Sequence, residues 1–183
     1  MPTRQILLKA VGIIGFVLSA FGGFLLGIAP PAEADAWRAV GYSSFFVLVI
    51  LLYISVLSRT RWRKSSRDRW LAVSALFFLI AVYSAVKYED RLERLTFWYP
   101  PDHPRDRYVA GTVFTPLGQK YANLDPGKAV FEFGLENREE LWTRDSILHS
   151  RHLLKVNYVV LVVSLAATIF CLTEGAMAKS TRR

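Results

Sequence analysis

Three residues in the last quarter of the chain have the spacing most suggestive of chemistry. Asp145, His149 and His152 fall at i, i+4 and i+7, so they share one face if this segment is helical. Histidine pairs at this spacing can bind a transition metal. A site would need a further strong ligand, for which the nearby candidates are His103, Glu139 and Glu140. One hypothesis is therefore a metal- or haem-dependent membrane enzyme using His149 and His152, and the competing interpretation is a solvated helix face.

Other patterns of catalytic residues are weaker. The sequence contains no GxSxG or SxxK motif, and its single cysteine, Cys171, lies in an apolar run. One cysteine also excludes an internal disulfide and a zinc-type Cys spacing. The glutamates between 132 and 140 are mixed with Arg138 and Arg144, as on an ordinary solvated helix. We therefore expect no enzyme, no catalytic residue, no bound metal and no cofactor.

Composition and charge indicate a membrane protein. Of the 183 residues, 52% are hydrophobic and 14% aromatic, and the mean hydropathy is positive. The net charge is +8, but residues 87–155 contain eleven basic and eleven acidic residues. The excess of positive charge therefore lies beside the apolar runs. Basic residues in these positions are better explained by a role in orienting membrane helices than by nucleic-acid binding, so no nucleic-acid partner is expected.

Four apolar runs have the length needed to cross a hydrocarbon core about 30 Å thick. They cover about residues 10–29, 39–58, 70–86 and 156–173. Together they predict an all-α four-transmembrane-helix bundle, with helices 1–3 in residues 1–86 and helix 4 in residues 156–183. Between helices 2 and 3, loop 59–69 is basic, which predicts that it is cytoplasmic and can contact anionic lipid. Its basic residues are Arg59, Arg61, Arg63, Lys64, Arg67 and Arg69.

The first apolar run carries two further signals. Gly15, Ser19, Gly23 and Gly27 recur every four residues, which predicts a helix-packing seam of small residues. Small residues after the run also resemble a cleavage site, so a signal peptide within residues 1–36 is the alternative to a retained first helix. With the first helix retained, both termini are cytoplasmic and segment 87–155 is extracytoplasmic. Short tails, compact loops and the absence of Asn-X-Ser/Thr glycosylation acceptors are typical of a bacterial inner membrane protein.

Segment 87–155 is predicted to be a small, mainly helical domain on helical stalks. The third apolar helix is expected to continue to Leu95, with an ion pair between Asp90 and Arg94. Strand character is confined to residues 108–114. Thr115-Pro116 and Asp125-Pro126 predict helix starts, and Gly134 a stop. Thr143 predicts the start of a long helix that continues to Glu174.

The best interpretation is a non-enzymatic integral membrane protein that acts as a sensor, interaction or immunity component through this domain. Its partners would be the lipid bilayer and a second copy or another membrane or envelope protein. The predicted contact is the aromatic, proline-rich segment with Phe97, Trp98, Tyr99 and His103. The alternative is a small oligomeric channel or membrane-permeabilising effector. The four runs carry no charge at their centres, which argues against a coupled transporter but is compatible with a channel, because a hydrophobic gate needs no charge.

Overall fold

The computed structural model describes residues 67–102 and 106–177, together with separate positions at 31, 41–42, 45–47, 49–50 and 53. Within these ranges the order is helix α1, strands β1 and β2, a 3-10 helix, helix α2, a second 3-10 helix and helix α3. In the same order, their bounds are Arg67–Arg94, Thr96–Tyr99, Asp106–Val109, Gly118–Tyr121, Pro126–Phe133, Leu135–Glu140 and Arg144–Met177.

The prediction of an all-α, four-span bundle is wrong. β1 and β2 form a two-stranded antiparallel sheet. Among the described residues, two helices are long and apolar enough to cross a membrane, Arg67–Arg94 and Arg144–Ala176. The predicted spans at 10–29 and 39–58 lie wholly or largely outside the described residues. Hydropathy detects long apolar runs but not a strand of four residues, and the prolines after Tyr99 follow such a strand rather than only ending a helix.

The chain divides into two compact units. In its longer described stretches, the first contains residues 67–85 and 158–177, and the second contains residues 86–102 and 106–157. We call the second unit the insert domain. Segment 87–155, the domain predicted from the sequence, falls within its Val86–Asn157 range.

In the first unit, the described parts of α1 and α3 pack together through small and polar groups. The Ser74 hydroxyl donates a hydrogen bond to the Thr168 carbonyl at 3.1 Å. Trp70 and Phe170 meet edge to face, with ring centroids 6.5 Å apart. Gly175 lies against Trp70, where an added Cβ would be 3.1 Å from the Trp70 Cβ. Close approach at small residues is the usual basis of helix packing in lipid.

Both long helices were predicted correctly beyond the apolar runs. α1 continues to Arg94, and Asp90 forms the expected ion pair with Arg94 at 2.8 Å. α3 begins at Arg144, directly after the predicted start at Thr143. Neither helix contains a proline, so the hydrogen-bonded backbone runs without a break from apolar to polar sequence.

The core of the insert domain is aromatic. Phe97 stacks on Trp142 and on Tyr108, with ring centroids 5.9 and 6.1 Å apart. Phe114 packs on the same indole and forms an isolated bridge with Trp142. The predicted strand 108–114 is therefore placed too late in the chain, since β2 covers Asp106–Val109 and only this bridge follows it. The buried residues of this cluster are Phe97, Ala110, Ala129, Val130, Leu141, Trp142 and Ile147.

α2 begins and ends where its capping residues predict. The Asp125 carboxylate accepts hydrogen bonds from the backbone N–H groups of Gly127 and Lys128 at 2.9 and 3.3 Å, and Pro126 occupies the first helical position. The helix ends at Gly134, whose φ of 81° is in the range that favours glycine. At Thr115-Pro116 the outcome differs, because a 3-10 helix begins only at Gly118, whose N–H bonds the Thr115 hydroxyl at 3.0 Å.

Removing the Asp125 cap is expected to destabilise the insert domain. Asp125→Ala leaves two N–H groups of α2 without their acceptor and should cost about 1 kcal/mol. The measurement is amide hydrogen exchange of the full chain in detergent, with peptides from α2 as the readout. Asp125→Asn keeps an acceptor oxygen and serves as the control. Equal exchange in all three proteins would contradict the assigned cap.

Candidate interaction surface

The hairpin of β1 and β2 sorts its side chains onto two faces. Trp98 lies opposite Arg107 and Phe97 lies opposite Tyr108, and alternate residues of a strand point to opposite sides. Phe97 is 5% exposed and belongs to the core, whereas Trp98 is 52% exposed. Thr96, Trp98 and Arg107 therefore share one face, which we call the Trp98 face. Phe97, Tyr99 and Tyr108 share the other.

On the Trp98 face, an arginine stacks on the exposed indole. The Arg107 Cζ lies 5.4 Å from the centre of the Trp98 ring. A guanidinium at this distance from an indole is held by a cation–π attraction, which contributes about 0.5–1 kcal/mol at an exposed site. The ring of Trp98 is thus held in place on one side and exposed to the surroundings on the other.

Arg107 is fixed in turn by the last turn of α1. Its Nη2 donates to the Leu92 carbonyl at 3.1 Å and its Nε donates to the Thr96 hydroxyl at 2.6 Å. The Thr96 hydroxyl donates to the same Leu92 carbonyl. The last carbonyls of a helix lack partners within the helix and carry partial negative charge, so a guanidinium stabilises them. Arg107 therefore ties the hairpin to the end of α1.

The environment of Arg107 has two opposing effects on its pKa. Burial lowers the pKa of the Arg107 guanidinium, while Tyr88 and the Glu93 carboxylate act to raise it. An arginine remains protonated in proteins, so the side chain keeps its positive charge. The Trp98 face consequently presents an aromatic ring beside a fixed cation.

Replacing Arg107 by methionine is expected to loosen the hairpin. The change keeps much of the apolar stem but removes both hydrogen bonds, at a cost of about 1–2 kcal/mol for a partly exposed charged donor. Faster hydrogen exchange in β1 and β2 measures the loss. Arg107→Lys keeps the charge but not the planar guanidinium, so the exchange rate of its hairpin should lie between those of the natural protein and the methionine variant. A methionine variant as protected as the natural protein would show that the tie to α1 contributes little.

On the other face, two aromatic rings meet at the surface of the insert domain. Tyr99 is half-buried and packs against Tyr108 at 6.1 Å and against Phe131 of α2 at 6.5 Å between ring centroids. Phe131 is 57% exposed. α2 reaches this position because Gly127 lies on the β1 backbone, where an added Cβ would be 2.8 Å from the Trp98 carbonyl oxygen. We call Tyr99 and Phe131 the aromatic pair.

Neither Arg107 nor Phe131 was identified from the sequence. Arg107 gives no local signal, because its role depends on a carbonyl fifteen residues earlier in the chain. Phe131 did give one: it is a large apolar residue placed off the periodic positions Ala129, Val130 and Phe133 of α2. Such a residue points away from the face that the helix buries.

The remaining predicted site residues are dispersed. Asp145, His149 and His152 are exposed on α3, and Glu139 and Glu140 are exposed at the end of the second 3-10 helix. Within 67–102 and 106–177, no group of three His, Cys, Asp or Glu side chains is close enough to hold a metal ion. Arg67 and Arg69 are exposed at the start of α1. His103, the basic residues 59–64, the seam from Gly15 to Gly27 and the cleavage region 1–36, apart from Pro31, lie outside the described residues.

Comparison with protein-family models, with characterised proteins and with solved structures finds no match to this chain.

Proposed function

We propose that this protein is a non-enzymatic membrane protein whose insert domain binds a protein partner through the aromatic pair, Tyr99 and Phe131. The observation that supports it most directly is the surface position of Phe131, packed on the half-buried ring of Tyr99. Aromatic residues that are held in place at a surface lose little conformational entropy on binding and are enriched at the centres of interfaces.

The anchoring part of the proposal is supported by the surface of α1. Only 22% of its most apolar 18-residue stretch is buried inside the protein, compared with 50% for α3. The core helix of a soluble protein would be mostly buried. Leu79 and Tyr83, in the middle of α1, are both 65% exposed. Contact with lipid explains this large apolar surface better than contact with water does.

The charges at the helix ends support an orientation for the proposed anchor. Arg67 and Arg69 open α1, while Lys179, Arg182 and Arg183 follow α3 in the sequence. Basic residues beside membrane helices mark the cytoplasmic side. The balanced charge of segment 87–155 is compatible with export. We therefore infer that the insert domain is extracytoplasmic.

The partner can be captured by photo-crosslinking from the aromatic pair. A benzophenone amino acid is placed at Phe131 of the full chain in its native membranes, and adducts are identified by mass spectrometry. A discrete adduct at residue 131 is expected, and a mass of twice the chain would identify a second copy. Glu132 on α2 and Gln119 on the first 3-10 helix, both exposed, are the control positions and should give no such adduct. Equal labelling at all three sites would contradict a specific interface.

Anchoring is tested separately by extraction of membranes with alkaline carbonate. An integral protein stays in the pellet, and release into the supernatant would overturn the membrane assignment.

A further inference from the structure

We propose that the Trp98 face is a second contact site and that its occupant is the lipid headgroup layer of the membrane that α1 crosses. The inference rests on the membrane anchoring proposed above, but it is independent of the partner at the aromatic pair. Trp98 would lie with its exposed ring in the headgroup layer, and Arg107 would contact lipid phosphate.

The length of α1 places its last turn at the right height. The helix has 28 residues and is about 42 Å long, which matches the thickness of about 40–45 Å of a bilayer with its headgroups. Its apolar stretch ends before Lys87, and Leu92 lies about 8 Å further along the axis. A headgroup layer is about 5–8 Å deep on each side. Leu92 therefore lies near the outer edge of that layer.

Arg107 connects the Trp98 face to this level. Its Nη2 bonds the Leu92 carbonyl, and the same guanidinium lies over the Trp98 ring. The ring is thus held within one arginine length of a position near the edge of the headgroup layer. Tryptophan is enriched at this depth because it has an apolar body and a polar N–H group, and it is 52% exposed here.

Charge favours phosphate as the group that Arg107 meets. The polar end of α1 has three basic residues and three acidic residues, so it has no net charge. They are Lys87, Arg91, Arg94, Glu89, Asp90 and Glu93. The guanidinium of Arg107 adds one positive charge to this balanced surface, and its planar donors match phosphate oxygens. A lipid headgroup and a free phosphate ion share this chemistry, and the experiment separates them.

The test uses the full chain in vesicles of phosphatidylcholine and phosphatidylglycerol, with or without bromine on the acyl chains near the headgroup. The emission of Trp98 is taken as the difference between the natural protein and Trp98→Phe. Because bromine quenches only at contact, this emission is expected to be lost in brominated vesicles and to be shielded from aqueous acrylamide.

A matched reporter is provided by Phe131→Trp in the Trp98→Phe protein, which moves the indole to α2, beside Tyr99. Its emission is expected to survive in brominated vesicles and to be quenched by acrylamide. Both substitutions are at exposed positions, so hydrogen exchange of β1 and β2 should confirm an intact fold.

Three outcomes would overturn the inference. Trp98 emission could persist in brominated vesicles while acrylamide quenches it. Inorganic phosphate added to the protein in detergent could shield Trp98 as well as vesicles do, which would indicate a phosphate site. Shielding could occur in native membranes but not in pure lipid, which would indicate a protein at this face. None of these results bears on carbonate extraction or on adducts at residue 131, so failure of the proposed function remains distinguishable.

Discussion

Trp142→Ala is expected to unfold most of the insert domain. The indole is 2% exposed and lies between Phe97 and Phe114, each with its ring centroid 5.9 Å away. Truncating a buried tryptophan costs about 3–5 kcal/mol. A small domain without disulfides rarely has more than about that amount of stability. Hydrogen exchange of the full chain in detergent should therefore show loss of protection across β1, β2 and α2.

Trp98→Ala is the matched control, because it removes the same residue type from an exposed position of the same domain. Its expected cost is about 0.5–1 kcal/mol, the contribution of the stack with Arg107. If the two variants lost protection equally, the distinction between core and surface tryptophan would be wrong. Trp142→Phe should retain part of the protection, since a ring still fills the space between the two phenylalanines.

Gly118→Ala is expected to have the second largest effect, although it adds one methyl group. A Cβ at this position would lie 2.8 Å from the carbonyl carbon of Leu141 and 2.9 Å from its Cα, and closer still to the carbonyl oxygen. These are backbone atoms of a residue that is 0% exposed, so they cannot turn aside as a flexible side chain would. Overpacking of this kind costs about 1–3 kcal/mol.

The readout for Gly118→Ala is the protection of amides around Leu141 and in the first 3-10 helix. Gln119→Ala, an exposed change one residue later, should stay within about 0.5 kcal/mol of the natural protein. Protection in Gly118→Ala equal to that in Gln119→Ala would mean that the close approach at Leu141 is not maintained in solution.

The parts of the fold that could be predicted from the sequence are those specified by nearby residues. α1 and α3 are long because no proline interrupts them, and α2 is bounded by a cap and a glycine that lie next to it. β1 was missed because four residues are too short for a periodic pattern and Pro100 follows at once. Its partner strand starts at Asp106, and the pairing was not evident from either segment alone.

The candidate surfaces were harder to predict than the helices because they depend on contacts distant in the sequence. The prediction grouped Phe97, Trp98 and Tyr99 as one exposed segment, whereas pairing with β2 buries Phe97 and leaves Trp98 exposed. Arg107 acquires its role from the Leu92 carbonyl, and Phe131 from its packing on Tyr99. Only the strand pairing shows which residue belongs to which face.

The alternation of buried and exposed side chains along β1 also limits which insertions and deletions this protein can tolerate during evolution. Deleting one residue from β1 would exchange the two sides of the strand and bring the indole of Trp98 toward the core in place of Phe97. The Trp98 face and the aromatic pair would both be lost through the deletion of a single codon. Changes of length are therefore expected to be tolerated between Tyr99 and Asp106, where the strands are joined, or to occur in pairs of residues within a strand. Residues on either face can be substituted, but the register of β1 cannot shift by one residue.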